Sequence, residues 1–301
     1  GQDALTRPAA RHEEIHHEET CHEENRSRRS PESTRGPRPA SHRPIEEKAF
    51  SRDMELRQRF VGDSEAADKV RLQILRAAQH SEKVLLLGET GTGKSLAANL
   101  IHEFSRRGKT GRFMTITCGA LSPDLVEAEL FGVAAHAASN VKAREGLWRA
   151  ADKGTLFIDE IGELPAAQQV KVLHALETHT VRPVGSEHTH EVDVRLIFAT
   201  NRNLDAMVSE GSFREDLYWR IRGVTITMPP LREQVEVIPD LAQRIWKTFT
   251  GDDPAAELSG DILQALKDVR WPGNFRQLKA VLTNLYYEDI SKKNKDLADL
   301  G

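Results

Sequence analysis

Two cysteines, Cys21 and Cys118, are the only thiols in the 301 residues. They lie far apart, in segments of different character. No disulfide framework is written there, and a reducing compartment fits. No apolar run approaches the ~20 residues that span a bilayer. The first residues hold no apolar signal core. Neither sign of charge dominates: 42 Lys and Arg stand against 46 Asp and Glu, for a net charge of −4. The chain therefore has no global field to draw it onto nucleic acid. Together these absences predict a soluble cytoplasmic protein with no membrane contact. The length suits one large or two modest domains.

What is present is organised around Gly88-Glu89-Thr90-Gly91-Thr92-Gly93-Lys94-Ser95. An apolar run, Val84-Leu85-Leu86-Leu87, precedes it, and a helical pattern over 96–102 follows. Strand, glycine loop and helix in that order are the context of a phosphate-binding loop. The glycines let backbone N–H groups turn inward around a phosphate with no Cβ in the way. Lys94 adds a charge for the β- and γ-phosphates, and Ser95 offers a hydroxyl to Mg²⁺. The helix that starts here aims its positive end at the anion. A glycine turn with a solvated lysine would share these letters but not the strand and helix around them.

A second chemical stretch is Gly154-Thr155-Leu156-Phe157-Ile158-Asp159-Glu160. It reads as a buried parallel strand with acids at its carboxyl end, where open α/β sheets hold ligands. Asp159 suits Mg²⁺ held through water, and Glu160 suits the attacking water. Phosphoryl transfer needs that division between charge screening and orientation of the nucleophile. Alone, such a run is an ordinary strand end; downstream of a phosphate loop it gains meaning. Val194-Arg195-Leu196-Ile197-Phe198-Ala199-Thr200-Asn201 is a further strand with a polar tip. That tip is expected between the ends of two acidic strands. Phe113-Met114-Thr115-Ile116-Thr117 reads as a half-buried strand, and 121–131 as a helix opened by Ser122 and Pro123. Strands alternating with helices predict a mostly parallel sheet covered on both faces.

The first 52 residues differ from the rest. They are rich in His, Glu, Arg, Pro and Ser and hold few large apolar side chains, so they cannot offset their ordering entropy. His12-Glu13-Glu14-Ile15-His16 spells a zinc-type HExxH pattern, with Cys21 and His22 nearby. A solvated charged tail uses the same letters, and that reading is preferred. The folded part is expected to begin near Phe60, with Asp63 or Ser64 capping a helix striped by Val70, Leu72, Ile74 and Leu75.

Residues 213–222 read as a helix carrying Arg214 and Arg220, which stand about 240° apart around its axis. One or both must reach outward, as a solvated pair or as an arginine finger in a neighbour's site. After Pro229-Pro230-Leu231-Arg232 only helical patterns follow, over 238–249, 261–269 and 274–287. That is a small all-helical second domain. The turn Trp271-Pro272-Gly273-Asn274 feeds its last helix, which carries Arg276. Expected boundaries are 1–52 for the tail, 53–230 for the α/β domain, 231–290 for the helical domain and 291–301 for a short end.

Seven stretches, GETGTGKS, ELFG, GTLFIDEIGELP, RLIFATNRNL, FREDLYWRI, PPLRE and WPGNFRQL, fall in order within residues 60–288. Together they resemble the AAA+ domain of bacterial enhancer-binding proteins, the activators of sigma-54 RNA polymerase. The resemblance implies an α/β P-loop domain with a parallel sheet between helices, plus a small all-helical lid. It implies ATP hydrolysis with Mg²⁺ in a ring, usually a hexamer, coupled to remodelling of a sigma factor. By motif, Gly88, Glu89, Thr90, Gly91, Thr92, Gly93, Lys94 and Ser95 are Walker A, and Val61 and Gly62 join the nucleotide-binding set. Asp159 and Glu160 are Walker B, with Ser95 and Asp159 as the metal pair. Thr200 and Asn201 fall at sensor I, and Arg276 at the sensor II arginine. Arg214 and Arg220 match the two candidate fingers. Val181-Arg182-Pro183-Val184-Gly185 corresponds to the insertion before sensor I.

The sequence also departs from that family. Where a GAFTGA loop grips the sigma factor, this chain reads Val133-Ala134-Ala135-His136-Ala137-Ala138-Ser139-Asn140-Val141, an alanine-rich stretch with helical propensity. Thr117 stands where the family usually has an asparagine that restrains the catalytic glutamate, and its reach is shorter. Ser95 stands where the family often has glutamate. No helix-turn-helix pattern follows Asn284 and no receiver-like pattern precedes residue 60, so direct DNA contact is not expected of this chain. Two functions follow as expectations. One is an ATPase motor acting on sigma-54 or another protein. The other is a nucleotide-gated assembly module that does not engage sigma-54.

Overall fold

The computed structural model describes residues 43–60, 62–135, 143–251 and 257–298. The His-rich segment with Cys21, Val61 of the expected nucleotide set, and positions 136–141 of the alanine-rich stretch lie outside those residues. The first described elements are helices α1 (Arg43–Arg59) and α2 (Glu65–Gln79), strand β1 (Val84–Leu87), α3 (Lys94–Glu103), β2 (Phe113–Thr117) and α4 (Pro123–Phe131). Then come β3 (Gly132–Val133), β4 (Arg144–Glu145), α5 (Leu147–Ala150), β5 (Thr155–Asp159), α6 (Ala166–Thr178), β6 (Thr180–Val181) and β7 (His190–Glu191). The chain continues through β8 (Arg195–Thr200), α7 (Leu204–Ser209), α8 (Glu215–Ile221), β9 (Val224–Thr227), α9 (Ile238–Thr250), α10 (Gly260–Lys267) and α11 (Asn274–Ala298).

Five strands form one sheet in the order β2-β5-β8-β1-β9. Every pairing in it is parallel. Alternate side chains leave opposite faces of a strand, and both faces here are apolar. Leu85, Leu156, Ile158, Leu196 and Phe198 enter one core with residues of α4 to α8. Val84, Leu86, Phe157, Ile197 and Ala199 enter the other with residues of α1 to α3. That two-sided burial is why these strands read as continuous apolar runs. The strand β8 lies between β5 and β1. Its polar tip therefore stands between the acids and the phosphate loop, not between two acidic strands. The edge strand β9 was not foreseen. It is four residues long, too short for alternation to show, and its pairing with β1 selects it.

The folded part begins earlier than residue 60, so the expected boundary at 52 falls inside α1. Leu56 and Phe60 are buried against the α2–α3 side of the sheet. Arg57 pairs with Asp53 and with Asp68, each at 2.9 Å, and Arg59 pairs with Glu103. The apolar residues of this mostly charged helix, Ile45, Ala49, Phe50, Met54 and Leu56, are too irregularly spaced for a periodicity to be read. In α2, Ser64 is the cap, its Oγ accepting from Ala67 N at 3.0 Å. Val70 and Ile74 are buried there, but Leu72 faces solvent.

The helices α9, α10 and α11 close on their own core, which includes Leu231, Trp246, Trp271, Leu278 and Leu282. Buried Trp271 donates its indole N–H to Leu266 O at 2.8 Å. The helix α11 runs past the expected end at 290 because no glycine or proline stops it before Gly301.

Candidate nucleotide site

The phosphate loop joins β1 to α3 at the carboxyl end of the sheet. Gly91 and Gly93 have φ of 80° and 92°, values that glycine adopts without steric cost. At Gly91 a side chain would also run into the backbone of Gly273 from the helical domain. Lys94 is buried, and its ammonium donates to Gly88 O at 2.8 Å and Glu89 O at 2.9 Å. Burial lowers its pKa, Asp159 and Glu160 oppose that, and Arg276 adds to it. Thr92 donates its hydroxyl to Glu89 O at 2.9 Å and so closes the loop's turn.

Parallel pairing of β2, β5, β8 and β1 brings the other groups to the same end. Ser95 Oγ donates to Asp159 Oδ2 at 3.3 Å. Hydroxyl and carboxylate oxygens are the donor chemistry that suits Mg²⁺, and glycine N–H groups with a lysine suit phosphate. Glu160 follows with φ 55°, a left-handed position for a side chain that has a Cβ. Its N–H donates to Asp159 Oδ1 at 2.9 Å, and its carbonyl accepts from Glu163 N at 2.8 Å. Thr200 is fully buried, and its hydroxyl accepts from Arg202 N at 3.0 Å. Asn201 donates to Thr90 Oγ1 at 3.1 Å, which ties the tip of β8 to the loop. Thr117 pairs in register with Asp159. Its hydroxyl has no hydrogen-bond partner among the described residues.

Glu89 belongs to the expected nucleotide set through its place in the loop, and its side chain turns to the helical domain. Arg232 donates to its two oxygens at 2.8 and 2.7 Å. Asn274 donates to Glu89 Oε2 at 3.2 Å and to Thr90 O at 3.0 Å, and accepts from Leu231 N at 2.7 Å. Phe275 N donates to Gly91 O at 3.1 Å. The Arg232 guanidinium, helped by Asn274, holds the Glu89 carboxyl down at about 2. Arg276 is exposed beside Gly91. Loop and helical domain thus meet through a clasp that sequence reasoning missed. Its one visible signal was Asn274 in a Pro-Gly-Asn turn, where φ of 49° suits asparagine.

Gly62 is held by Arg71, another residue not foreseen. Arg71 is buried and donates to Phe60 O at 2.9 Å and Gly62 O at 2.7 Å. The two expected finger arginines are exposed and sit apart from the loop's hydrogen bonds. Arg214 precedes α8 rather than lying in it, and clasps Asp216 at 2.6 and 3.0 Å. Arg220 reaches Leu176 O at 3.3 Å. The insertion at 181–185 is tied to the start of the alanine-rich stretch. Val184 N donates to Gly132 O, and Ala134 N to Val184 O, both at 2.9 Å. Among the described residues no cluster of His, Cys, Asp and Glu could hold a metal ion with three such ligands. None of the described helices is long and apolar enough to cross a membrane.

A phosphate loop on β1, paired acids at the end of β5, a polar tip on β8 between them and a helical lid against the loop define an AAA+ P-loop NTPase fold. The chain belongs to the sigma-54 interaction domain family, which matches residues 60–227, and an AAA+ ATPase lid domain matches residues 232–297. The response regulator protein PilR of Pseudomonas aeruginosa is 42% identical over 231 residues, covering 76% of this chain and 52% of that protein. A Nif-specific regulatory protein of Bradyrhizobium diazoefficiens is 43% identical over 222 residues, covering 73% of this chain and 38% of the relative. The chain thus spans about half or less of these relatives. Crystal structures of NtrX from Brucella abortus are similar in fold. The form in complex with ATP has a TM-score of 0.68 at 32% identity, covering 81% of this chain and 56% of the other. The form in complex with ADP has a TM-score of 0.69 at 33% identity, covering 80% and 53%.

Proposed function

We propose that this chain binds and hydrolyses ATP as part of a self-assembled ring, a hexamer by family resemblance, and that it regulates transcription by remodelling a partner protein. The partner class is the sigma-54 factor, and the setting is the cytoplasm. The observation that carries the reading is the convergence of Lys94, Ser95, Asp159 and Glu160 at one end of the parallel sheet, where β1 and β5 flank β8. NtrX, bound to ATP or ADP in its crystals, supports the nucleotide.

In this reading Lys94 leaves the carbonyls of Gly88 and Glu89 and turns to the β- and γ-phosphates. The loop N–H groups and the start of α3 cradle those phosphates. Ser95 and Asp159 hold Mg²⁺, which neutralises phosphate charge when bound. Glu160 orients the water and accepts its proton. Thr200 and Asn201 stand where the γ-phosphate ends. Arg214 and Arg220 lie outside this set and complete a neighbour's site, while Arg276 faces the phosphates from the lid. Gly62, with Val61 beside it, borders the nucleotide on the side held by Arg71. The boundary between the α/β and helical domains is placed near 231, where the Pro229-Pro230 break begins.

The test is the ATPase rate against protein concentration, with Lys94→Ala and Arg220→Ala beside wild type. The rate should climb cooperatively, vanish in the first variant and collapse in the second. A flat rate no higher than that of Lys94→Ala would refute the motor. With tight ATP binding, it would instead favour a nucleotide-gated assembly module that does not act on sigma-54.

A further inference from the structure

The carboxylate of Glu160 has no hydrogen-bond partner among the described residues, yet its backbone is fixed on both sides. Its N–H bonds to Asp159, and its carbonyl accepts from Glu163 N. Glu163 is itself held by Arg202 at 2.5 Å, so the turn after β5 has little room to shift. What sets the place of the free carboxylate lies across the gap, in the 3₁₀ turn Cys118–Ala120 that follows β2. A Cβ built on Gly119 would overlap Glu160 Oε2. It would also touch Glu163 Cγ at 3.3 Å and Glu160 Cδ at 3.4 Å. Gly119 is not among the glycines with positive φ. Its backbone is one that alanine adopts without strain, so neither turn geometry nor a backbone neighbour calls for glycine there. The space that the missing methyl leaves is taken by the carboxylate.

We propose that Gly119 is a positioning residue for Glu160: its bare Cα is the seat in which the carboxylate of the water-orienting base rests. Thr117, two residues earlier, makes no side-chain hydrogen bond among the described residues that could do this. The seat replaces a polar restraint with a steric one. A methyl at 119 evicts Oε2 by roughly 1 Å, and a misplacement of that size costs on the order of 100-fold in well-positioned chemistry. The inference rests on the ATPase reading for its kinetic part only.

The experiment compares wild type, Gly119→Ala, Glu160→Ala and the double variant in the full chain. It reads kcat, KM for ATP, Kd for ADP, thermal midpoint, and the nucleotide-free crystal structures of wild type and Gly119→Ala. We expect kcat of Gly119→Ala to fall on the order of 10- to 100-fold, with KM and the ADP Kd unchanged. The thermal midpoint should hold or rise, since alanine narrows the unfolded ensemble. Adding Gly119→Ala to Glu160→Ala should cost nothing more, and the Glu160 carboxylate should stand displaced in the crystal. A merely structural glycine would lower the midpoint and act equally in both backgrounds. A kcat at or above wild type, or an unmoved Glu160, overturns the seat. If wild type hydrolyses no ATP, the ATPase reading fails instead, and the crystal comparison still decides the seat.

Discussion

Replacing Asn274 with alanine should separate the helical domain from the phosphate loop. The side chain is fully buried and its φ is 49°. Truncation leaves Leu231 N, now bonded at 2.7 Å, without an acceptor in the core. A buried unsatisfied donor costs about 1–3 kcal/mol. The bonds to Thr90 O and to the charged Glu89 are lost as well, at roughly 0.5–1.5 kcal/mol each. Alanine in the left-handed region adds about 1–2 kcal/mol. The terms overlap because the site relaxes, so the expected loss is about 3–5 kcal/mol. Asn274→Gly loses the same bonds but not the backbone preference, and should be milder by about 1 kcal/mol. Asn274→Asp keeps the acceptor for Leu231 N but sets a second carboxylate against Glu89 Oε2, and should be destabilised too. Urea unfolding followed by tryptophan fluorescence measures all three, with the m-value checking that the transition is unchanged in kind. Alanine within about 1 kcal/mol of wild type, or aspartate as stable as asparagine, would show that these bonds do not hold the lid to the loop.

Three other outcomes follow from the same geometry. The Glu89 carboxyl lies at about 2 in the folded chain against an ordinary 4.5. A depressed carboxyl stabilises fully above its unfolded value, so its contribution should shrink as pH falls from about 4.5 toward 2. Both partners are half exposed, so the effect is under about 1 kcal/mol after screening. It is read as the narrowing gap between wild type and Glu89→Gln unfolding curves. Arg71→Met should strip Phe60 O and Gly62 O of their donor and cost about 2–3 kcal/mol in urea. It should also weaken ATP binding if Gly62 borders the nucleotide, and isothermal titration tests that. Cys118 is buried, and burial above all, with Asp159, Glu160 and Glu163, pushes its thiol up to about 12. In a Cys21→Ser background it should resist iodoacetamide at neutral pH until the chain is unfolded, and mass spectrometry would detect early labelling.

By itself the sequence determined the elements whose chemistry is local. The strand–glycine loop–helix of 84–103, the acids after β5 and the polar tip of β8 were all legible. Each is a short run in which burial on two faces forces apolar residues and function fixes the end. The three-helix domain was legible because periodicity and the Pro229-Pro230 break are local too. Tertiary structure alone decided where these runs stand. Strand order put β8 between β5 and β1, so the tip borders both loop and acids, and parallel pairing recruited β9. The docking of α1 depended on Leu56 and Phe60 finding a core that no nearby residue announces. The turn of Glu89 toward Arg232 and Asn274, more than 140 residues away in sequence, needed the lid to close on the loop. Gly119 became a seat only because β2 and β5 pair in register. Such roles rest on contacts between distant segments, and a linear pattern carries no record of which distant segments meet.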